Sequence, residues 1–408
     1  MTKRKYKRIY RLYRYRLCVR ATLVLVICLV GLVLTVAEDV INTDYQQGLK
    51  FLAKNQKQQA LKAFQRAVAQ DSTLANAHFS IGMLQKEQEQ WLSAKSALKQ
   101  AIEADPDYIA PYCALAELQI EVFAQVPAAI NLLQTRLGVV QIRSISPNDT
   151  TKIHQLRKWL GIAYFRNGQF QKAQAELAAA NQSDLTDLQT AYILGITLVR
   201  MGDLSAAAQK LEDLISRDPF HKKAYFSLGN IYRQLGQPDL ARQTLQRFQE
   251  IDLEDERVVH LEQVVKQYPA QVDAWSQLGR IYTKRQQWEK AITALQQFVA
   301  LVPTNPAAHE ALGFVYFNTG DYRRAGRYYQ QIVQLSPDNA TYRNSLGSIY
   351  LMLEQYQEAI QQLKVATELA PENPGIYRNL ATAYQQAGEE KLAEEASWQY
   401  QKLTTSVE

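Results

Sequence analysis

The chain is poor in the residues that carry most protein chemistry. Its 408 residues include three cysteines, five histidines and four methionines. Cys18 and Cys28 lie near the N-terminus, and Cys113 stands alone in the remainder, so no disulfide can form within residues 41–407. No Cys-x-x-Cys module, His-Glu-x-x-His or Gly-x-Ser-x-Gly occurs, and no glycine-rich phosphate loop ends in Lys-Ser or Lys-Thr. The histidines His78, His154, His221, His260 and His309 are scattered, without metal-ligand spacing. These absences argue against an enzyme, and neither a cofactor nor a metal is expected. After residue 37 no uncharged run is long enough to span a bilayer. The net charge of +6 gives no broad nucleic-acid surface either. Nine of the 46 basic residues fall in residues 1–20, where there is no acid, so the other 37 face 40 acids.

What the chain does have is periodicity. Ala60, Ala94 and Ala128 are 34 residues apart, as are Ala173, Ala207 and Ala241, and Ala291, Ala325, Ala359 and Ala393. Twelve residues upstream runs a second series: Gly48, Gly82, Ala116; Gly161, Gly195, Gly229; Gly279, Gly313, Gly347, Ala381. A unit this short cannot bury a core alone, so the period implies a solenoid of stacked units. With the glycine as position 8 and the alanine as position 20, ten repeats begin at Ile41, Ala75, Ile109, His154, Leu188, Lys222, Val272, Pro306, Ala340 and Pro374.

Within a repeat, positions 4, 7, 8 and 11 share one face of a first helix. Position 7 is leucine in Leu115, Leu160, Leu194, Leu228, Leu278, Leu312, Leu346 and Leu380, and position 11 is tyrosine in Tyr164, Tyr232, Tyr282, Tyr316, Tyr350 and Tyr384. A turn follows at position 15, with Gly168, Gly202, Gly236, Gly320, Gly388 and Asn55, residue types that tolerate the left-handed conformation. Positions 20, 24 and 27 mark a second helix, as in Ala359, Leu363 and Ala366. Proline at position 32 (Pro106, Pro219, Pro303, Pro337, Pro371) stops it. Small residues at positions 8 and 20 mark the closest approach of the two antiparallel helices, where a larger group would overpack.

This pattern resembles the tetratricopeptide repeat family over about residues 41–407. The resemblance implies an all-α superhelical solenoid of about ten 34-residue helix-turn-helix repeats, with a concave groove that takes a protein or peptide segment. Two spacings depart from 34. Ala128 to Ala173 contains 11 extra residues, and Ala241 to Ala291 contains 16. The expected organisation is therefore repeats one to three over 41–141, an insertion loop at 142–153, repeats four to six over 154–255, an extra helix at 256–271, and repeats seven to ten over 272–407.

In that family, positions 2, 5, 9, 12 and 13 of the first helices line the groove. Carried over, they give Lys158, Arg166, Tyr192, Arg200, Lys223, Phe226, Asn230, Arg233, Arg280, Lys284 and Arg378 as candidate partner-binding residues. Their charge suits an acidic or amphipathic segment. Lys223, Asn230 and Arg233 resemble in type the groups with which some members hold a peptide carboxylate. The known arrangement spreads over successive repeats, however, and Tyr192 and Ile196 stand where it needs Lys and Asn.

Residues 1–37 differ in composition. A basic stretch, 1–20, with Tyr6, Tyr10, Tyr13 and Tyr15 among its cations, precedes the uncharged run 21–37. Tyrosine and basic residues directly before an apolar run suit a membrane interface better than nucleic acid. The run is long enough to span a bilayer and exceeds the usual core of a signal peptide, which favours a single-pass anchor. Thr35-Val36-Ala37 leaves cleavage and secretion as the alternative. Basic residues before the span place the N-terminus in the cytoplasm and the repeats on the extracytoplasmic side. The expected function is a membrane-anchored interaction scaffold, an assembly or tethering factor. The alternative is a structural protein that associates with copies of itself.

Overall fold

The computed structural model describes residues 43–143 and 147–405. The segments 1–20 and 21–37 lie outside them, as do residues 406–408. Every described regular element is helical, and no described helix is long and apolar enough to cross a membrane. The chain divides into an N-terminal body, Met1–Leu245, and a C-terminal body, Gln246–Glu408.

Each body repeats one device. A first helix of about 13 residues, such as Val272–Lys284, is followed by a second of 14, such as Trp288–Leu301, across a three-residue connection. The position 8 glycine lies directly beneath the position 24 side chain of the second helix. A Cβ on Gly279 would sit 2.3 Å from Leu295 Cδ2, and one on Gly347 would sit 2.5 Å from Leu363 Cγ. Gly48 meets Phe64, Gly161 meets Leu177 and Gly229 meets Leu245 in the same way. The overpacking expected at position 8 therefore has a definite source, the position 24 side chain. The position 20 alanines are buried beside it, as in Ala60, Ala291 and Ala359.

Tyrosine at position 11 is also tied to the preceding repeat. Its hydroxyl bonds the residue twenty positions upstream in Tyr232–Glu212 (2.5 Å), Tyr282–Glu262 (2.5 Å), Tyr316–Gln296 (3.1 Å) and Tyr350–Gln330 (2.8 Å). Asp187, Asn305, Asn339 and Asn373 cap first helices by accepting from backbone N–H groups of the opening turn.

The structure corrects the sequence reading at three places. In repeat three the alanine of the 34-residue series, Ala128, is exposed, and Ala129 takes the buried place. The cause is one additional turn residue. The left-handed residue is Ala124 (φ 53°), one position later than in the other repeats, and Leu133 rather than Leu132 is then fully buried. The insertion loop expected at 142–153 is mostly helix. The flanking helices extend as Val126–Arg143 and Pro147–Arg166, leaving only 144–146 between them outside the described residues. The apolar spacing of Leu133, Leu137 and Val140 continues into the insert and joins a core with Leu156 and Leu160, while Pro147 heads its helix, where no intrahelical N–H is needed.

The extra helix expected at 256–271 is not separate. The second helix of repeat six runs without interruption over 30 residues, Pro238–Gln267. Its last turns serve repeat seven as a preceding second helix does elsewhere. Glu262 bonds Tyr282, and Leu261 and Val265 pack with Leu278. The insert is thus about the length of one second helix, and it continues the second helix of repeat six.

Turns at position 15 are left-handed even where the residue is not glycine: Glu89 (φ 59°), Gln286 (φ 55°) and Glu354 (φ 59°). An L-residue in this region carries a steric cost that glycine avoids, partly offset by glycine's greater loss of freedom on folding. Glu354→Gly and Gln286→Gly, both at exposed turns, are expected to stabilise the chain by up to about 1 kcal/mol each. Urea unfolding of the single variants checks this, and destabilisation by either would contradict the turn assignment.

Candidate partner-binding groove

The candidate residues divide by what their side chains already do. Lys158 is largely buried and pairs with Asp187 at 2.8 Å. That carboxyl is pushed up by burial, but hydrogen bonds from Lys158 and Thr190 outweigh this and hold it below the usual range. Arg166 grips both oxygens of Glu121, at 2.9 and 3.0 Å. Lys284 bonds Glu254 at 2.8 Å. Asn230 donates one amide N–H to the carbonyl of Phe226, at 3.0 Å. Tyr192 leans on His221, with ring centroids 5.2 Å apart, and lies 3.4 Å from the Ser227 hydroxyl.

Arg200, Lys223 and Arg233 are exposed in the N-terminal body, together with Phe226 at 50%. Arg280 and Arg378 are exposed in the C-terminal body. Neither Arg280 nor Arg378 makes an ion pair among the described residues. The expected basic surface is therefore interrupted, because three of its cations are neutralised within the fold.

In the C-terminal body two candidates, Arg280 and Lys284, share a cavity. A groove of about 630 Å³ opens between the first helices Val272–Lys284 and Pro306–Asn318 and the helix Pro238–Gln267. Arg257, Arg280 and Lys284 line one part, and Ala307, Glu310 and Phe314 another. Phe314 is 48% exposed, a large apolar group presented beside an unpaired guanidinium. Arg257 donates to Gln277 at 2.7 Å.

Glu254, which lines the groove, is held in place by Lys284 and by Arg285 outside the lining. Arg285, with a side chain only 10% exposed, donates to Glu254 at 2.9 Å and to Asp255 at 2.7 Å. Burial raises the Glu254 pKa, but the hydrogen bonds from Lys284 and Arg285 outweigh it, so the carboxyl lies below its ordinary value. An acid wedged between two cations stays ionised and holds both in place. Among the described residues no cluster of His, Cys, Asp and Glu is suited to a metal.

Glu310, Phe314 and Arg257 were absent from the candidate set. The first two were within reach of the sequence, since positions 5 and 9 of repeat eight give them directly. Arg257 was not, because its placement depends on the continuation of the second helix of repeat six.

Comparison with known proteins supports the repeat class. A family model described as TPR repeat matches residues 279–320, and models described as Tetratricopeptide repeat match 75–108, 192–253 and 304–372. These stretches of the chain are tetratricopeptide repeats. No curated protein shows significant similarity to the chain. Among solved structures, it is similar to YrrB, described as a TPR protein with an unusual peptide-binding site. The identity is 21% over 45% of this chain and 89% of that one, with a TM-score of 0.37. It is also similar to PilW, described as a widely conserved type IV pilus biogenesis factor, at 17% identity over 52% and 93% of the two chains, TM-score 0.45. MamA MSR-1 C2 matches at 23% identity over 46% and 98%, TM-score 0.35.

Proposed function

We propose that this chain is a membrane-anchored interaction scaffold, an assembly or tethering factor that holds a segment of a partner protein in the groove of repeats seven and eight. The observation that carries the reading is the presence of exposed Arg280 and exposed Phe314 in one groove, whose wall includes Glu254 held by Arg285. An arginine beside an aromatic group is the composition of binding hot spots. Three of the other seven candidate cations, Lys158, Arg166 and Lys284, already have acids. The partner segment is accordingly amphipathic, with one acidic group for Arg280 and one apolar group for Phe314, and it need not be broadly acidic.

The apolar run 21–37 supplies the anchor, and the cations before it place the repeats outside the cytoplasm. Protease treatment of intact spheroplasts, with N-terminal sequencing of the mature chain, tests this placement. Digestion of the repeats with the N-terminus intact is expected. Protected repeats would refute the orientation, and a mature chain beginning after Ala37 would make the protein secreted.

The groove is tested by crosslinking in cells that express Arg280→Glu or Phe314→Ala. Each variant is expected to lower the yield of the same crosslinked partner by about tenfold without altering helix content or melting. An unchanged yield in both would remove the groove from the function.

A further inference from the structure

A second groove lies in the last repeat, among the second helix of repeat nine, Tyr356–Leu369, the first helix of repeat ten, Pro374–Ala387, and its second helix, Glu390–Thr405. Its volume is about 660 Å³. Tyr377, Tyr384 and Trp398 contribute aromatic surface, and Glu368, Glu394 and Glu395 contribute carboxylates. None of these three carboxylates makes an ion pair or hydrogen bond among the described residues. The single cation in the lining is Lys364.

The rest of the chain shows what this place ordinarily contains. In repeats four, seven and eight the residue at position 19 is a cation lying over the tyrosine at position 11. Lys172 is 5.5 Å from the Tyr164 centroid, Lys290 is 5.3 Å from that of Tyr282, and Arg324 is 5.4 Å from that of Tyr316. Repeats six and nine have Leu240 and Glu358 there instead, but Tyr232 and Tyr350 keep their hydroxyl bonds to the preceding second helix. Tyr384 has neither. Its position 19 residue is Leu392, and the residue twenty positions upstream is Lys364, which is not bonded to it. Tyr384 is only 7% exposed and lines the groove, and its hydroxyl has no hydrogen-bond partner among the described residues. The negative field reaches the ring, since burial first, and then Glu389 and Glu395, raise its pKa.

We propose that this groove receives a lysine or arginine side chain from a basic segment of another protein. The cation would lie over Tyr384 as Lys290 lies over Tyr282, with Glu394 and Glu395 as its counter-charges. Aromatic faces flanked by carboxylates favour a cation by quadrupole and charge together. Lys402, stacked 5.1 Å from the Trp398 centroid, shows that this helix already presents an aromatic face to an ammonium group. The site is separate from the Arg280 groove, and the two carry opposite charge preferences.

The test uses the full chain in mild detergent and a fluorescein-labelled dodecapeptide with arginine and lysine in a Gly/Ser background, with a glutamate-substituted peptide as control. The basic peptide is expected to bind and the acidic one not. Two variants are decisive. Leu392→Lys supplies within the chain the cation that other repeats carry, and Glu394→Lys with Glu395→Lys reverses the counter-charge. Each is expected to weaken binding about tenfold or more, with circular dichroism unchanged. Arg280→Glu and a control reversal at exposed Glu103 are expected to leave binding intact. Undiminished binding by both decisive variants would overturn the proposal, as would equal loss in the Glu103→Lys control. Sedimentation showing a dimer that Glu394→Lys with Glu395→Lys dissociates would also overturn it, by assigning the groove to a second copy of the chain.

Discussion

The stacking depends on one contact, the position 24 side chain seated on the position 8 glycine. It occurs in eight repeats, with closest approaches to a hypothetical Cβ ranging from 2.3 Å at Leu295 to 2.9 Å at Leu98 and Tyr329. Seating a branched side chain directly on backbone brings the two helices of a repeat closer than any pair of larger residues would allow. Repeat ten lacks the glycine and has Ala381, and its position 24 residue is Ser397, the small partner that a Cβ requires. Repeat three has Ala116, and there the turn is lengthened by a residue so that Leu133 replaces Leu132 in the buried place. The exceptions obey the constraint that the rule expresses.

This contact also explains which insertions the array accepts. Gly229 keeps Leu245 and Gly279 keeps Leu295, although 16 extra residues separate repeats six and seven. The added length lies where neither pair is disturbed, in the continuing helix Pro238–Gln267. Its last turns bring Arg257 to the groove and place Glu254 and Asp255 against Arg285. The departure from the repeat thus builds part of the candidate site.

The repeat period, the helix pairs and most turns were legible from small residues alone, because close approach leaves a strict trace in side-chain size. The slip in repeat three was not, since Ala128 and Ala129 are equally small and periodicity cannot choose between them. The continued helix was hidden because a helix that continues and a helix that restarts have the same composition. Pro269 lies just past its last residue, Gln267, but nothing in 238–256 signals that no turn intervenes. The binding surface was legible in position and not in charge. Lys158, Arg166 and Lys284 stand at groove positions, yet their acids, Asp187, Glu121 and Glu254, lie about 30 to 45 residues away in sequence and meet them only in three dimensions.

The seat of position 24 on position 8 is tested most directly by a double-mutant cycle at Gly347 and Leu363, followed by urea unfolding. Gly347→Ala alone is expected to cost about 1–3 kcal/mol. In a Leu363→Ser background, which reproduces the Ala381 and Ser397 pair of repeat ten, the same change is expected to cost almost nothing. An equal cost in both backgrounds would show that the glycine is required for some reason other than the side chain above it, and the account of the stacking would fail.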